Sequence, residues 1–207
     1  MISPRFPAIL GLMIAAAANA QRPLSATYIT DEEVKAVLAT PGIDHTIRVV
    51  DIGNENFAIG IIHRGPTTPP AVAGAGGRAT PAASPCGDQV SPAPADAIPG
   101  AITHDSQTEG YYIVSGGGTL VTGGRIVNGN RSAPDAPVTK ELNGPSCSGL
   151  IAGPGIVNRV VKPGDIIIIP AGVPHGWAPL ADHVDYLSFR PSGQTLTVGY
   201  VNPAIKK

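Results

Sequence analysis

Two short stretches hold most of the chain's candidate chemistry. "HDSQTEGYYIVSG", His104 to Gly116, opens on an imidazole and a carboxylate, reaches a second carboxylate at Glu109, and then runs apolar to a glycine. "GDIIIIPAGVPHGWA", Gly164 to Ala178, carries a further imidazole, His175, behind a Pro-Ala-Gly turn. Imidazole and carboxylate are ordinary donors to divalent transition metals. Such an ion needs donors from several strands, because one strand cannot surround it. Each residue also has an ordinary reading: a hydrogen-bonding turn histidine, a strand-end glutamate facing water, a histidine packed on Trp177.

The elements that must position these groups are strands. "DSQT" reads as a turn, so His104 ends one strand and Glu109 starts the next, and their odd separation need not put them on opposite faces. The β-branched runs "HTIRVVDI" and "NFAIGIIH" read as a hairpin pair. "GYYIV", "GTLVTG", "GRIVN", "IVNRVV", "GDIIIIP", "VDYLSF" and "TLTVGYV" continue the pattern, with Gly, Pro and Asn-Gly between them. Ile166 to Ile169 lacks alternation, which predicts a strand covered on both sides. "TDEEVKAVL" is the one clear helix, with Thr30 and Glu33 completing a capping box before Pro41. Residues 65–100, rich in Pro, Gly and Ala, predict a long loop, and "NGNRSAPDAPVTKELNGPSCSG" a second insertion. The expected fold class is mostly β, a single antiparallel barrel or jelly roll with one short N-terminal helix and two long loop insertions.

Within that frame His63, Tyr111, Trp177 and Tyr186 are candidates to line a pocket. Tyr186, Ser188 and Arg190 share one strand face by the two-residue period. An inward face would make them candidate substrate contacts, and an outward one would leave Arg190 in solvent.

A chain of 207 residues and 21.0 kDa suits one domain. The formal net charge of -1 argues against nucleic acid or an anionic membrane surface as partner. The 26 Gly and 22 Pro favour turns over long helices. Residues 1–20 read as a cleaved signal peptide: Arg5 is the only charge, an apolar run covers Ala8 to Ala18, and Ala18-Asn19-Ala20 fits the small-residue cleavage rule. The run is too short to span a bilayer, so residues 21–207 are expected to be periplasmic or secreted. In that setting Cys86 and Cys147, both in loop-like surroundings, are candidates for one disulfide.

The two stretches resemble the paired motifs of the cupins. His104, four residues, Glu109, six residues and Gly116 fit the second half of the first motif. Gly164, Pro170, Gly172 and His175 fit the second motif at every spacing, although Pro179 replaces its final Asn. The resemblance covers His104 to Arg190. It implies an antiparallel barrel holding one divalent transition metal (Fe, Mn, Ni or Zn) on His104, Glu109 and His175. Ile102 stands where the family's pattern often places another His, which leaves three ligands unless Asp105 or Gln107 substitutes. Two His and one carboxylate leave coordination positions open, the catalytic type of site. The function implied is a metal-dependent enzyme acting on a small organic molecule, a dioxygenase first, or an isomerase or decarboxylase using the ion as Lewis acid. A non-catalytic ligand-binding or structural barrel is the alternative, and a homodimer is a candidate assembly.

Overall fold

The structure, a computed structural model, describes residues 25–67 and 84–205. The expected signal peptide and the middle of the Pro/Gly/Ala-rich segment lie outside the described residues.

Strands with alternating faces bury their apolar sides by pairing sheet against sheet. Here the strands form two antiparallel sheets and no single closed ring among the described residues. The first runs, edge to edge, β1 (Asp44–Asp51), β2 (Asn56–Arg64), β12 (Val184–Pro191), β5 (Glu109–Gly116) and β10 (Ile166–Ile169). The second runs β3 (Pro85–Cys86), β7 (Arg125–Arg131), β8 (Ser146–Ala152), β4 (Ile98–His104), β11 (His175–Trp177), β6 (Gly118–Thr122) and β9 (Val157–Val161). Between the sheets, Ile62, Tyr111, Ile113 and Tyr186 of the first meet Leu120 and Val161 of the second.

Helix α1 (Asp31–Leu38) forms as its capping box predicts: Thr30 accepts from the Glu33 amide, and the Glu33 carboxylate accepts from the Thr30 amide. Its buried Val37 packs with Ile47, Ile61 and Ile205 and covers the β1–β2 half of the first sheet's outer face. A separate apolar cluster lies on the outer face of the second sheet. Leu120 turns inward, while its neighbour Val121 turns outward onto Ala101, Ile126 and Ile151. A disulfide joins Cys86 to Cys147 in this cluster, with Cα atoms 6.0 Å apart. Gly129 makes room for it, since a Cβ there would stand 2.7 Å from Cys147 Sγ.

Four expectations are corrected. The Ile166–Ile169 run is not covered on both sides, because among the described residues the outer face of the first sheet is bare at β10 and β5, where Tyr112 and Val114 are exposed too. Ile169 is buried, whereas Ile166 and Ile168 are 72% and 73% exposed. "TLTVGYV" is not a strand. Its backbone groups go to Val49, Lys140 and Asn56 in a series of turns, and its Leu196 closes one end of the interior against Val49 and Ala58. The expected loop over residues 65–100 is not loop throughout: its end forms β3 and the start of β4, held by the disulfide. In the second insertion, strands enter from both ends, and its middle is a π-helical turn, Val138–Asn143.

Candidate metal centre

β4 ends at His104 and β5 begins at Glu109, with "DSQT" turning between them as the sequence predicts. The second motif wraps around that turn. Ile169 pairs with Glu109, His175 pairs with Ile102, and the Gly172 amide between them donates to the His104 carbonyl at 2.7 Å. Gly172 has φ +81°, a left-handed conformation that favours glycine. The Pro-Ala-Gly turn therefore ties the two motifs through the backbone, and His104, Glu109 and His175 converge with all three side chains buried.

Hydrogen bonding fixes what each side chain can offer. His104 Nδ1 lies 2.8 Å from the Asn143 carbonyl and His175 Nδ1 lies 3.0 Å from the Val173 carbonyl. A carbonyl only accepts, so each Nδ1 carries a proton and each ring turns its Nε2 toward the cluster. Backbone partners of this kind are what orient metal-ligating histidines. Glu109 is divided in a similar way. Its Oε1 accepts from Arg190 Nε at 2.6 Å and from Ser188 Oγ at 3.2 Å. Its Oε2 accepts from the Tyr111 hydroxyl at 2.6 Å and has one lone pair left on the side of the imidazoles. Glu109 thus presents a single oxygen to the cluster.

That oxygen lies 3.0 Å from His175 Nε2 and 3.4 Å from His104 Nε2. The His175 contact lacks hydrogen-bond geometry and its Nε2 is a buried atom without a partner. A cation bound between them would give that buried nitrogen a partner. Ligands about 2.1 Å from an ion and at right angles stand about 3 Å apart, close to the 3.0 Å and 3.4 Å between the carboxylate oxygen and the two imidazole nitrogens. The donor set fits a divalent transition metal.

Charge is managed by Arg190. Its Nη2 bonds Asp44 Oδ2 at 2.7 Å and its Nη1 reaches the Leu142 carbonyl at 3.4 Å, so the buried guanidinium joins two carboxylates. Burial by itself raises the Glu109 carboxyl, but Arg190 and then the two histidines outweigh it and hold the group well below the usual carboxylate range. Burial, followed by the Glu109 charge, pushes the Tyr111 phenol well above its usual value, so it remains a donor. The end of the π-helical turn serves the same centre. Its Leu142 carbonyl accepts from Arg190 and Gln107, and its Asn143 carbonyl accepts from His104.

The other sequence candidates are placed as follows. Tyr111 and Tyr186 lie inside with ring centres 4.4 Å apart, and Trp177 is partly buried 5.6 Å from Tyr186. His63 does not face the interior. It pairs with Asp185 on the outward side of β2 and β12, where alternation puts every odd residue of these two strands. Asp105 does not substitute for a fourth ligand, since it lies at the surface bonded to Arg131 at 2.6 Å. Gln107 is buried, but its Nε2 bonds Leu142 and its Oε1 lies where a side chain on Gly144 would meet it. Ile102 pairs directly with His175 and points to the same side as His104, so a histidine there would have joined the cluster. Arg190 is not in solvent: it is 1% exposed. Sequence reasoning missed Asp44 and the π-helical carbonyls as parts of the centre, and reached Ser188 and Arg190 only as candidate contacts on a shared strand face.

Two facing antiparallel sheets, with both motifs interlocked around an inward His-Glu-His cluster, give the chain a cupin-like fold. No family model matches the chain, and no curated protein matches it in sequence. Solved structures similar to it include the DMSP lyase DddQ from Ruegeria pomeroyi, at 13% identity and TM-score 0.34, covering 72% of this chain and 46% of the lyase. An uncharacterized conserved protein with a double-stranded beta-helix domain from Klebsiella pneumoniae matches at 16% and 0.34, covering 83% of this chain and 93% of that one. Oxalate oxidase in complex with the substrate analogue glycolate matches at 14% and 0.33, covering 76% of this chain and 55% of the oxidase. The chain thus spans about half the length of the lyase and the oxidase.

Proposed function

We propose that the protein is an exported, metal-dependent enzyme acting on a small organic molecule, with one divalent transition metal held by His104, Glu109 and His175. The observation that carries this reading is the convergence of two imidazole nitrogens and one carboxylate oxygen in the core, each side chain oriented by a second hydrogen bond. A facial arrangement of this kind leaves coordination positions free, and an ion there supplies Lewis acidity or, with Fe, oxygen chemistry. Dioxygenase chemistry is the first reading. Among the chain's own groups, Arg190 and Ser188 hold Glu109 to one oxygen, and Tyr111 keeps a proton on the Oε2 side of the centre. The Cys86–Cys147 bridge supports export, because such bonds persist in oxidising compartments.

Oxygen consumption tests the reaction class. Protein loaded anaerobically with Fe(II) or Mn(II) is expected to consume oxygen with a panel of small organic acids and phenols, and Glu109→Gln is expected to abolish this. Substrate conversion without oxygen uptake would replace the dioxygenase with the isomerase or decarboxylase reading. A loaded protein that binds but never converts a ligand would make it a binding protein.

A further inference from the structure

A second arginine points into the space between the sheets, and its surroundings differ from those of Arg190. Arg64 is the last residue of β2 and pairs with the buried Val184 of β12. It therefore shares the inward face with Ile62 and Ala58. Its Nε donates to the hydroxyl of the buried Tyr186 at 3.1 Å. All 15 Asp and Glu side chains of the chain lie among the described residues, and none forms an ion pair with Arg64. The inward carboxylates, Asp44 and Glu109, are both engaged by Arg190. A half-buried guanidinium without a counter-charge is costly to keep.

We infer that Arg64 is the anchor for the carboxylate of a small organic anion. With Nε spent on Tyr186, the remaining Nη1/Nη2 pair forms a planar fork of the kind that grips a carboxylate with two parallel hydrogen bonds. A single cation matches a monoanion, whereas a phosphate dianion would need further donors. Aromatic surface extends from the anchor toward the cluster. The Tyr186 ring packs on Trp177 and on Tyr111, and the Tyr111 hydroxyl bonds Glu109. An acid with a flat apolar body is the class that this arrangement suits. The inference deepens the reading of a metal-dependent enzyme by naming its substrate class, and it rests on that reading for what becomes of the bound acid.

Binding alone tests it. Trp177 is the only tryptophan of the chain, so its fluorescence reports on this region. Benzoate is expected to give a saturable change, with benzamide, its neutral counterpart, giving none up to the same concentration. Arg64→Gln is expected to weaken benzoate binding at least tenfold, and Arg64→Lys to retain part of it, while both variants keep the wild-type metal content. Unchanged benzoate affinity in both variants, or no saturable binding of benzoate to the wild type, would overturn the inference. Inorganic phosphate bound more tightly than benzoate in an Arg64-dependent manner would also overturn the carboxylate assignment. Because metal content is measured on the same samples, a loss of the metal centre is distinguishable from a loss of the anchor.

Discussion

The two faces of the seven-stranded sheet are packed for different ends. On the outer face Val121, Ala101, Ile126 and Ile151 enclose a disulfide in an apolar setting. The inner face, together with the first sheet, encloses two histidines, a glutamate and an arginine where a core would ordinarily place aliphatic groups. The outer cluster closes a 61-residue separation and is stabilising by its nature. The inner cluster leaves buried polar atoms without partners, among them His175 Nε2, Asp44 Oδ1 and Gln107 Oε1. Unpartnered buried polar groups oppose folding. They persist where something else is bound or where function requires them. One sheet thus carries a stability device on one side and a binding device on the other, and the two should respond independently to mutation.

The largest effect is expected from Arg190→Met, which breaks the inner region itself. It leaves the buried Glu109, beside the partly buried Asp44, as an uncompensated charge, at a cost of about 3–5 kcal/mol, and frees Glu109 to turn. Urea unfolding and metal analysis should both register the change, and a variant of wild-type stability would contradict the charge account. Replacing both cysteines by alanine should lower stability by about 4 kcal/mol through loop entropy while leaving metal content unchanged. Metal loss at temperatures where that variant remains folded would show that the two faces are coupled.

Tyr111→Phe removes one bond to Glu109 Oε2 and should weaken metal retention roughly tenfold, as loss of such an orienting partner does. Competition with a chelator gives the number. A smaller effect concerns pH. The folded Glu109 carboxyl is depressed below its ordinary 4.5, so its stabilising contribution is fully present above that pH and is lost as pH falls through the depressed value. The stability gap between wild type and Glu109→Gln, measured at successive pH values, should therefore close on the acid side. A gap that widened on acidification would contradict it. Asp105→Ala should be nearly silent. Its pair with Arg131 is close to half exposed and contributes about 0–1 kcal/mol, and metal content should not move.

Most of the centre was legible in the sequence because its geometry is written in short-range turn chemistry. Four residues between His104 and Glu109 allow a turn between strands, and the Pro170-Ala171-Gly172 turn sets where His175 emerges. The capped helix at Asp31–Leu38 was readable for the same reason, since both partners of its box lie three residues apart. What escaped depended on long-range placement. The β12 sequence alternates Tyr186-Ser188-Arg190 with Asp185-Leu187-Phe189, and neither set is plainly the apolar one. Only its position between β2 and β5 decides that the arginine goes inside. Ile166 to Ile169 misled in the opposite sense, because composition does not say which face of a sheet another layer covers. His63 has the same ambiguity, and Asp185 on the neighbouring strand holds it outward.

The central claim is that the His-Glu-His cluster holds an ion, and the most direct measurement is the metal content of residues 21–207 produced in an oxidising compartment, by elemental mass spectrometry, with His175→Ala alongside. The account predicts about one transition metal ion per chain in the wild type, on the three-ligand site, and its loss in a variant that remains folded. Wild-type protein that stays metal-free after reconstitution with Fe(II), Mn(II), Ni(II) and Zn(II), or a variant that keeps its metal, would contradict it.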